Sequence, residues 1–214
     1  MRKHTLALTA LAVAVATQAS ATELVVNGGF EDQPNWGSGI SGDGSYTAYT
    51  GNAIPGWTIA QGHAATIHNH GYPWISGTYS LNTDGEGFNG HNVDIYQDIT
   101  AALGSQNTLS YDWKIWFTDA HPRLDVSLTD TVTGLVLYHG NFGQPDTNLH
   151  HESAGFVGTG NALRLEIMES PESGYNDNAF IVDNFSVESV PEPFTLAGFG
   201  LVGLLAARRR RNRN

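Results

Sequence analysis

Short apolar or alternating runs, broken every few residues by Gly, Asn, Asp or Pro, most restrict what this chain can fold into. The 25 glycines are spread along the sequence, and no long helical period appears between residues 22 and 189. Such runs are typical of β-strands joined by tight turns. The pattern predicts an all-β sandwich. The predicted strands cover residues 23–26, 58–60, 65–68, 79–82, 93–98, 108–117, 123–130, 135–140, 152–157, 162–168 and 180–188.

Two of these runs carry the clearest signals. Residues 123–140 alternate apolar and polar positions, turn at 131–134 and continue with Leu135 and Leu137, which predicts a hairpin with Gly134 at a positive-φ position. Residues 162–168 alternate in the same way, with the apolar Leu163, Leu165 and Ile167 separated by the charged Arg164 and Glu166. This alternation predicts a strand with one face in the core and one face in water.

Charge is unevenly distributed and limits the partners of the central segment. Residues 22–189 contain three basic and 20 acidic residues, a formal charge of −17 with His neutral. A surface this acidic repels nucleic acid and anionic lipid, whereas it suits divalent cations and uncharged glycans. The chain has no cysteine, which excludes disulfides and thiolate chemistry.

The two ends of the chain differ from its centre. Residues 1–21 have a basic start, an apolar run and the sequence Ala19-Ser20-Ala21, the form of a cleavable signal peptide. Residues 194–207 are fourteen uncharged residues followed by five arginines among the last seven positions. As a helix this stretch reaches only about 21 Å, short of a bilayer core of roughly 30 Å. It is therefore expected to act as a weak stop-transfer segment, with the arginines on the cytoplasmic side.

The triplet Pro191-Glu192-Pro193, followed by this apolar stretch and the arginines, resembles the PEP-CTERM sorting signals of Gram-negative bacteria. The resemblance covers residues 190–214. It implies a short C-terminal hydrophobic helix over 194–207 and recognition and processing by an exosortase-type enzyme. It also implies transient tethering to the inner membrane, then release to the cell surface or an extracellular polysaccharide matrix. An ordinary C-terminal membrane anchor is the alternative.

Four short motifs in the segment 22–189 resemble those of galactose-binding-like jelly-roll domains, which include many carbohydrate-binding modules. They are Asn-Gly-Gly-Phe-Glu at 27–31, Ile-Pro-Gly-Trp at 54–57, Ser-Leu-Asn at 80–82 and Val-Asp-Asn-Phe-Ser-Val at 182–187. The resemblance spans residues 24–187. It implies that the first and last strands pair and that a structural calcium lies near their end.

Carried onto this chain, the resemblance places the calcium ligands at Glu31 and Asp183, with Asn27 in the glycine-rich turn 27–29 as a third candidate ligand. Calcium takes six to eight oxygen ligands, many of them backbone carbonyls at such turns. The alternative is that Glu31 accepts backbone N–H bonds within its turn and Asp183 is merely solvated.

Aromatic residues in polar loops are the candidate ligand-binding residues: Trp74 and Tyr72 in residues 66–77, and Trp36 in the Gly/Ser-rich stretch before Tyr46. Flat rings beside polar groups suit the stacking of sugar rings. A core position is the alternative for Trp74. His68 and His70 share one strand face and could chelate zinc or copper; solvated loop histidines are the simpler interpretation.

No catalytic motif is present, and the acid pair Asp84 and Glu86 is expected to serve a turn or a cation rather than glycoside hydrolysis. We therefore expect an exported, non-enzymatic protein that binds neutral extracellular polysaccharide and is stabilised by calcium. The alternatives are a structural matrix protein without a discrete ligand and a small glycoside hydrolase.

Overall fold

The computed structural model of the chain describes residues 21–33, 39, 41–42, 44–69, 74–83, 93–115, 123–143, 147–169 and 180–190. All of them belong to one compact unit, Ala21–Val190. Several sequence predictions lie outside the described residues. These are the signal peptide up to residue 20, the sorting segment from Pro191 onward with its predicted helix, and the side chains of Trp36, His70, Tyr72, Asp84, Glu86, His91 and Trp116.

The described residues form strands joined by turns and irregular segments, as predicted. The strands are β1 (Thr22–Glu23), β2 (Ser41–Gly42), β3 (Tyr46–Tyr49), β4 (Thr58–Ile59), β5 (Ala65–Asn69), β6 (Tyr79–Asn82), β7 (Asp94–Thr100), β8 (Gln106–Ile115), β9 (Leu124–Asp130), β10 (Val136–Phe142), β11 (His150–Val157), β12 (Ala162–Glu169) and β13 (Phe180–Val190). Within this part of the chain there is no helix of a length and apolarity sufficient to cross a membrane.

Two antiparallel sheets pack face to face. The eight-stranded sheet has the order β11-β8-β13-β6-β5-β3-β2, with β1 paired to β13. The five-stranded sheet has the order β10-β9-β12-β7-β4. The prediction of an all-β sandwich is confirmed.

Alternating side chains of both sheets fill the space between them. In β12, Leu163, Leu165 and Ile167 are fully buried while Arg164 and Glu166 face outward, as their alternation predicts. Near the entry of the chain, Phe30 stacks on Trp57 with ring centroids 5.4 Å apart. The core is therefore aliphatic in the five-stranded sheet and aromatic where the N-terminal segment joins it.

The first and last strands pair, as the resemblance implied, but over a short stretch. Thr22 lies opposite Ser189 and Glu23 opposite Glu188. The prediction that strand structure continues to Val26 is wrong. Both backbone groups of Val26 instead bond the side-chain amide of Gln97, at 2.7 and 2.9 Å. Gln97 comes from the other sheet, so a side chain replaces the neighbouring strand here.

The predicted hairpin is present, with Gly134 at φ 72° and its N–H donating to Asp130. The expectation that the inward alternation resumes at Leu135 is wrong, because Leu135 is exposed. The register shifts between Val136 and Tyr138, which resets the inward face of β10. Strands β2 and β3 were not predicted, because they are short and lie in a Gly/Ser-rich stretch.

Candidate functional site

A row of buried polar side chains crosses the outer face of the eight-stranded sheet. The intervening residues Ile67, Leu81 and Val182 point into the core, so their neighbours point away from it. Each polar member is nevertheless fully buried. We call this set the polar row: Thr66, His68, Ser80, Asn82 and Asp183.

Hydrogen bonds tie the polar row to the segment that precedes β6. The N–H of Ile75 donates to the hydroxyl of Ser80, and the N–H of Ser76 donates to Asp183 Oδ2, with the Ser76 hydroxyl oxygen 3.2 Å from the same atom. Ser80 also donates to this oxygen, at 3.0 Å. The segment from residue 74 onward therefore runs over the sheet and covers part of the row.

Asp183 is the charged centre of this face. Burial raises the pKa of its carboxyl group to about 6, although hydrogen bonds from Asn184 N–H, Ser80 and Ser76 act in the opposite direction. At neutral pH the group is therefore mostly ionised. A buried carboxylate with this many donors is a strong and fixed acceptor at one point of the face.

Trp74 lies beside the row with 40% of its surface exposed. Its backbone carbonyl accepts a hydrogen bond from Lys114 Nζ at 2.6 Å. Lys114 stands on the outer face of β8, and partial burial lowers its pKa. The bond fixes the backbone that carries the indole ring against the sheet.

A second polar group continues the face on the other side of β13. Asp112 on β8 accepts a hydrogen bond from the side-chain amide of Asn184 at 2.7 Å and contacts Nδ1 of His151 at the same distance. Asn184 has φ 55° and sits where the β13 register shifts against β8. The bulge turns its side chain towards Ser76, which donates to the Asn184 amide oxygen.

Fixed donors and acceptors next to an exposed aromatic ring give this face a defined chemistry. Neutral sugars present hydroxyl groups at the rim of the ring and C–H bonds on its flat side, which such a surface can bind. The sequence predicted Trp74 for ligand binding and Asp183 for calcium, but it did not single out Ser76, Asn82 or Lys114. The alternation of β6 and β8 assigns the latter two to an outer face, although nothing in it indicates that this face is partly covered.

Glu31 lies close to Asp183, as the resemblance implied. A methyl group placed on Gly29 would lie 3.7 Å from Asp183 Oδ1 and 3.9 Å from Glu31 Cγ. Glu31 Oε1 accepts the N–H groups of Thr78 and Tyr79, at 2.8 and 3.1 Å. Both acids therefore border one glycine. Glu31 accepts backbone N–H bonds, but from the start of β6 and the residue before it rather than from its own turn.

Asn27 shapes the turn rather than facing the two acids. Its side-chain oxygen accepts the N–H of Asp32, and its amide donates to the carbonyls of Asp32 and Pro55. Its backbone carbonyl accepts bonds from the Trp57 ring N–H and the Phe30 N–H. These contacts fix the turn that carries Glu31.

The remaining predicted site residues are placed as follows. His68 is a buried member of the polar row, with its Nε2 3.1 Å from the Asn82 amide, so the expectation of a solvated loop histidine is wrong. Tyr46 is half-buried with its ring 6.0 Å from that of His68. In the part of the chain that the structure describes, no three His, Asp or Glu side chains are grouped as a metal site.

Comparison with known proteins supports the fold directly. No family model and no curated protein matches the sequence. A solved structure titled Family 16 Carbohydrate Binding Module-2 superposes with a TM-score of 0.50 and 16% identity, covering 77% of this chain and 98% of that one. This likeness shows that the chain has the jelly-roll β-sandwich fold of a carbohydrate-binding module.

Two further solved structures align over similar lengths of this chain. The arabinose-bound MgGH51 α-L-arabinofuranosidase gives a TM-score of 0.49 and 15% identity, over 78% of this chain and 26% of that one. The CBM22-1 xylan-binding domain from Paenibacillus barcinonensis Xyn10C gives 0.44 and 13%, over 67% and 90%. This chain thus spans about a quarter of the arabinofuranosidase.

Proposed function

We propose that this chain is an exported protein whose sandwich binds neutral polysaccharide without catalysis. The observation that carries the proposal is the outer face of the eight-stranded sheet, where the exposed residues Trp74 and Asn184 and the partly exposed Lys114 lie beside the buried polar row. The indole stacks on a sugar ring, while Lys114 and Asn184 bond its hydroxyl groups. The fold agrees with this function, since the family 16 module is named for carbohydrate binding.

The charge of the segment favours a neutral glycan. With three basic residues against 20 acidic ones between positions 22 and 189, the sandwich repels anionic polymers. Of the three cations, Lys114 is bonded to a backbone carbonyl and Arg164 to Asp98. Tyr72 and Trp36 are proposed to extend the stacking surface.

Native gel electrophoresis in the presence of soluble glycans tests this function. Neutral xylan, mannan and mixed-linkage glucan form the panel, and anionic alginate is the negative control. We expect retardation by at least one neutral glycan, and Trp74→Ala to weaken the affinity by about tenfold or more. Met168→Ala is the matched control, because Met168 is 37% exposed on the other sheet. Retardation by no glycan, or equal loss in both variants, contradicts the proposal.

Delivery to the outside is proposed from the two ends of the chain. Residues 1–21 direct export, and Pro191-Glu192-Pro193 with the following residues 194–214 is the sorting signal for an exosortase-type enzyme. The chain associates transiently with the inner membrane before it reaches the cell surface or matrix. Mass spectrometry of the mature protein tests this, with loss of residues from about 190 onward as the expected result. A mature form that retains the arginines contradicts it.

We also propose that calcium stabilises the sandwich between Glu31 and Asp183. The donors suit a hard cation, because a carboxylate oxygen of Asp183 and the Asn184 amide oxygen both border Gly29, which Glu31 also contacts through its Cγ. Backbone carbonyls and water would complete the shell. The clamp would join the N-terminal segment to β13 and strengthen the closure of the fold.

Thermal unfolding, measured with added calcium and with a chelator, tests the proposed calcium site. At a calcium concentration about one hundred times its Kd, the melting temperature is expected to rise by roughly 5–10 °C. Glu31→Gln retains an oxygen for the N–H groups of Thr78 and Tyr79 but removes the charge, so it abolishes the rise. Asp32→Asn, at the exposed neighbouring position, preserves it. Equal melting temperatures with calcium and with chelator contradict the proposal.

A further inference from the structure

Three tight turns meet at one end of the sandwich. They are residues 101–105, 131–136 and 157–161, which we call the apolar end. Hydrogen bonds join them: Gly160 N–H to the Ala101 carbonyl and Gly104 N–H to the Gly158 carbonyl. Thr131 N–H likewise donates to the carbonyl of Ala162, the first residue of β12. The turns therefore form one ordered surface.

This surface exposes large apolar side chains. Leu103 is 81% exposed and Val132 is 72% exposed. Five of the nine exposed large apolar side chains in the described ranges lie here, although single exposed residues are normal on any surface. The five are Leu103, Val132, Leu135, Val136 and Val157.

The apolar end is also uncharged. Its three turns contain no Asp, Glu, Lys, Arg or His, in a segment with a formal charge of −17. The nearest acid, Asp130, is buried and accepts the N–H groups of Val132 and Thr133. Glu188 is exposed on β13 opposite Thr108, two residues beyond the edge of this surface. Arg164 and Glu166 border the surface beside Thr131 and Gly134, and Arg164 is paired with Asp98. The three turns themselves therefore add no charge that would repel lipid.

The chain leaves the sandwich at this same end. Strand β13 ends at Val190, opposite Gln106, directly after the turn 101–105. Three residues, 191–193, separate Val190 from the fourteen-residue uncharged stretch 194–207, and the four Cα steps from residue 190 to residue 194 span at most about 14 Å. A bilayer that holds this stretch therefore lies within reach of the apolar end.

We propose that the apolar end docks on the surface of a lipid bilayer, with Leu103, Val132 and Leu135 entering the boundary between headgroups and acyl chains. The proposal rests on the proposed membrane association before processing. It fixes the orientation of the protein on the membrane. Lys114 lies eight residues along β8 from Gln106, a distance of about 26 Å at the rise of a strand. Trp74, Lys114 and Asn184, the accessible residues beside the buried polar row, therefore lie away from the bilayer and remain open to glycan.

Single-cysteine labelling of the full chain tests the docking. The sequence has no cysteine, so Leu103→Cys and Val132→Cys each carry one environment-sensitive dye. Leu149→Cys and Met168→Cys are controls, because both residues are exposed and lie at the opposite end, beside His150 and opposite Asp94. Leu204→Cys reports on the uncharged stretch itself.

With phosphatidylcholine vesicles, a lipid-phase quencher is expected to reach the dye at positions 103 and 132 but not at 149 and 168. Replacing both Leu103 and Val132 by Ser should weaken vesicle partitioning by about tenfold or more. The paired control, Leu149→Ser with Met168→Ser, should leave it unchanged.

The outcomes separate this proposal from membrane association. Quenching at 204 without quenching at 103 and 132 overturns the docking and leaves the tether intact. Quenching at neither region overturns both. Quenching at 103 and 132 alone supports the docking and contradicts the tether. A concentration-dependent blue shift at 103 without vesicles, and no lipid quenching, shows an interface between copies and overturns the proposal.

Discussion

Gly28 offers a sharp test of how the N-terminal motif is joined to the last strand. A methyl group at Gly28 would lie 1.8 Å from the carbonyl oxygen of Phe185, whereas one at Gly29 would lie 3.7 Å from its nearest neighbour. The Gly28 carbonyl also accepts the Phe185 N–H at 3.0 Å. Gly28→Ala must therefore separate the two segments, and Gly29→Ala need not.

The expected cost follows from two contributions. Overpacking against a backbone atom costs about 1–3 kcal/mol, and loss of the hydrogen bond from Phe185 adds about 1 kcal/mol. Gly28→Ala should thus lower the free energy of unfolding by about 2–4 kcal/mol. For Gly29→Ala the change should be below about 1 kcal/mol, because a reduced entropy of the unfolded chain offsets any loss.

Urea unfolding followed by intrinsic tryptophan fluorescence, to which the buried Trp57 and Trp113 contribute, measures both variants under the same conditions. Equal stability of the two alanine variants would refute the argument that close backbone contact, rather than chain flexibility, requires glycine at position 28. A larger loss for Gly29→Ala would refute it as well.

Three further predictions concern stability. Hydrogen bonds from Asn161, Thr133 and Val132 hold the pKa of Asp130 well below its usual range. The ionised carboxylate therefore stabilises the fold at neutral pH, and this stabilisation is lost in acid. The difference in the free energy of unfolding between the unchanged protein and Asp130→Asn, measured in urea, should narrow once the pH falls below the unfolded value of 3.8. A gap that widens in acid would contradict this sign. Phe30→Ala removes a fully buried ring and should cost about 3–5 kcal/mol in the same assay, and a cost below about 1 kcal/mol would show that the ring is not part of the core. Tyr111→Phe breaks the hydroxyl contact of 2.8 Å to the neighbouring tyrosine on β10 and should cost about 1 kcal/mol, with no loss as the contrary result.

The strands were largely predictable because burial on one face imposes a period of two. Residues 79–82 match their strand fully, and β9 and β12 bury the apolar positions that alternation assigned to the core. The failures have local causes. Val26 bonds a distant glutamine side chain, and a register shift follows Val136. Neither a long-range side-chain hydrogen bond nor a bulge can be predicted from the local alternation of apolar and polar residues.

The candidate site was only partly predictable from the sequence. The proximity of Glu31 and Asp183 followed from a resemblance, and its spatial basis is the pairing of the first strand, β1, with the last strand, β13. The burial of His68 was not foreseeable from alternation, because a polar residue on an outer sheet face is expected to meet water. Ser76 and Lys114 gained their roles through contacts 107 and 40 residues apart. Contacts of that separation are decided by topology rather than by local pattern.

The central claim is that neutral polysaccharide binds on the outer face of the eight-stranded sheet. Backbone amide chemical shifts of the isotope-labelled protein test it most directly, when they are followed during titration with a neutral glycan that retards the protein in the native gel. The claim predicts that the largest shifts cluster on the outer face of the eight-stranded sheet, at Ser76, Lys114 and Asn184. Shifts concentrated instead on the outer face of the five-stranded sheet, at Ser127 and Glu166, would contradict it.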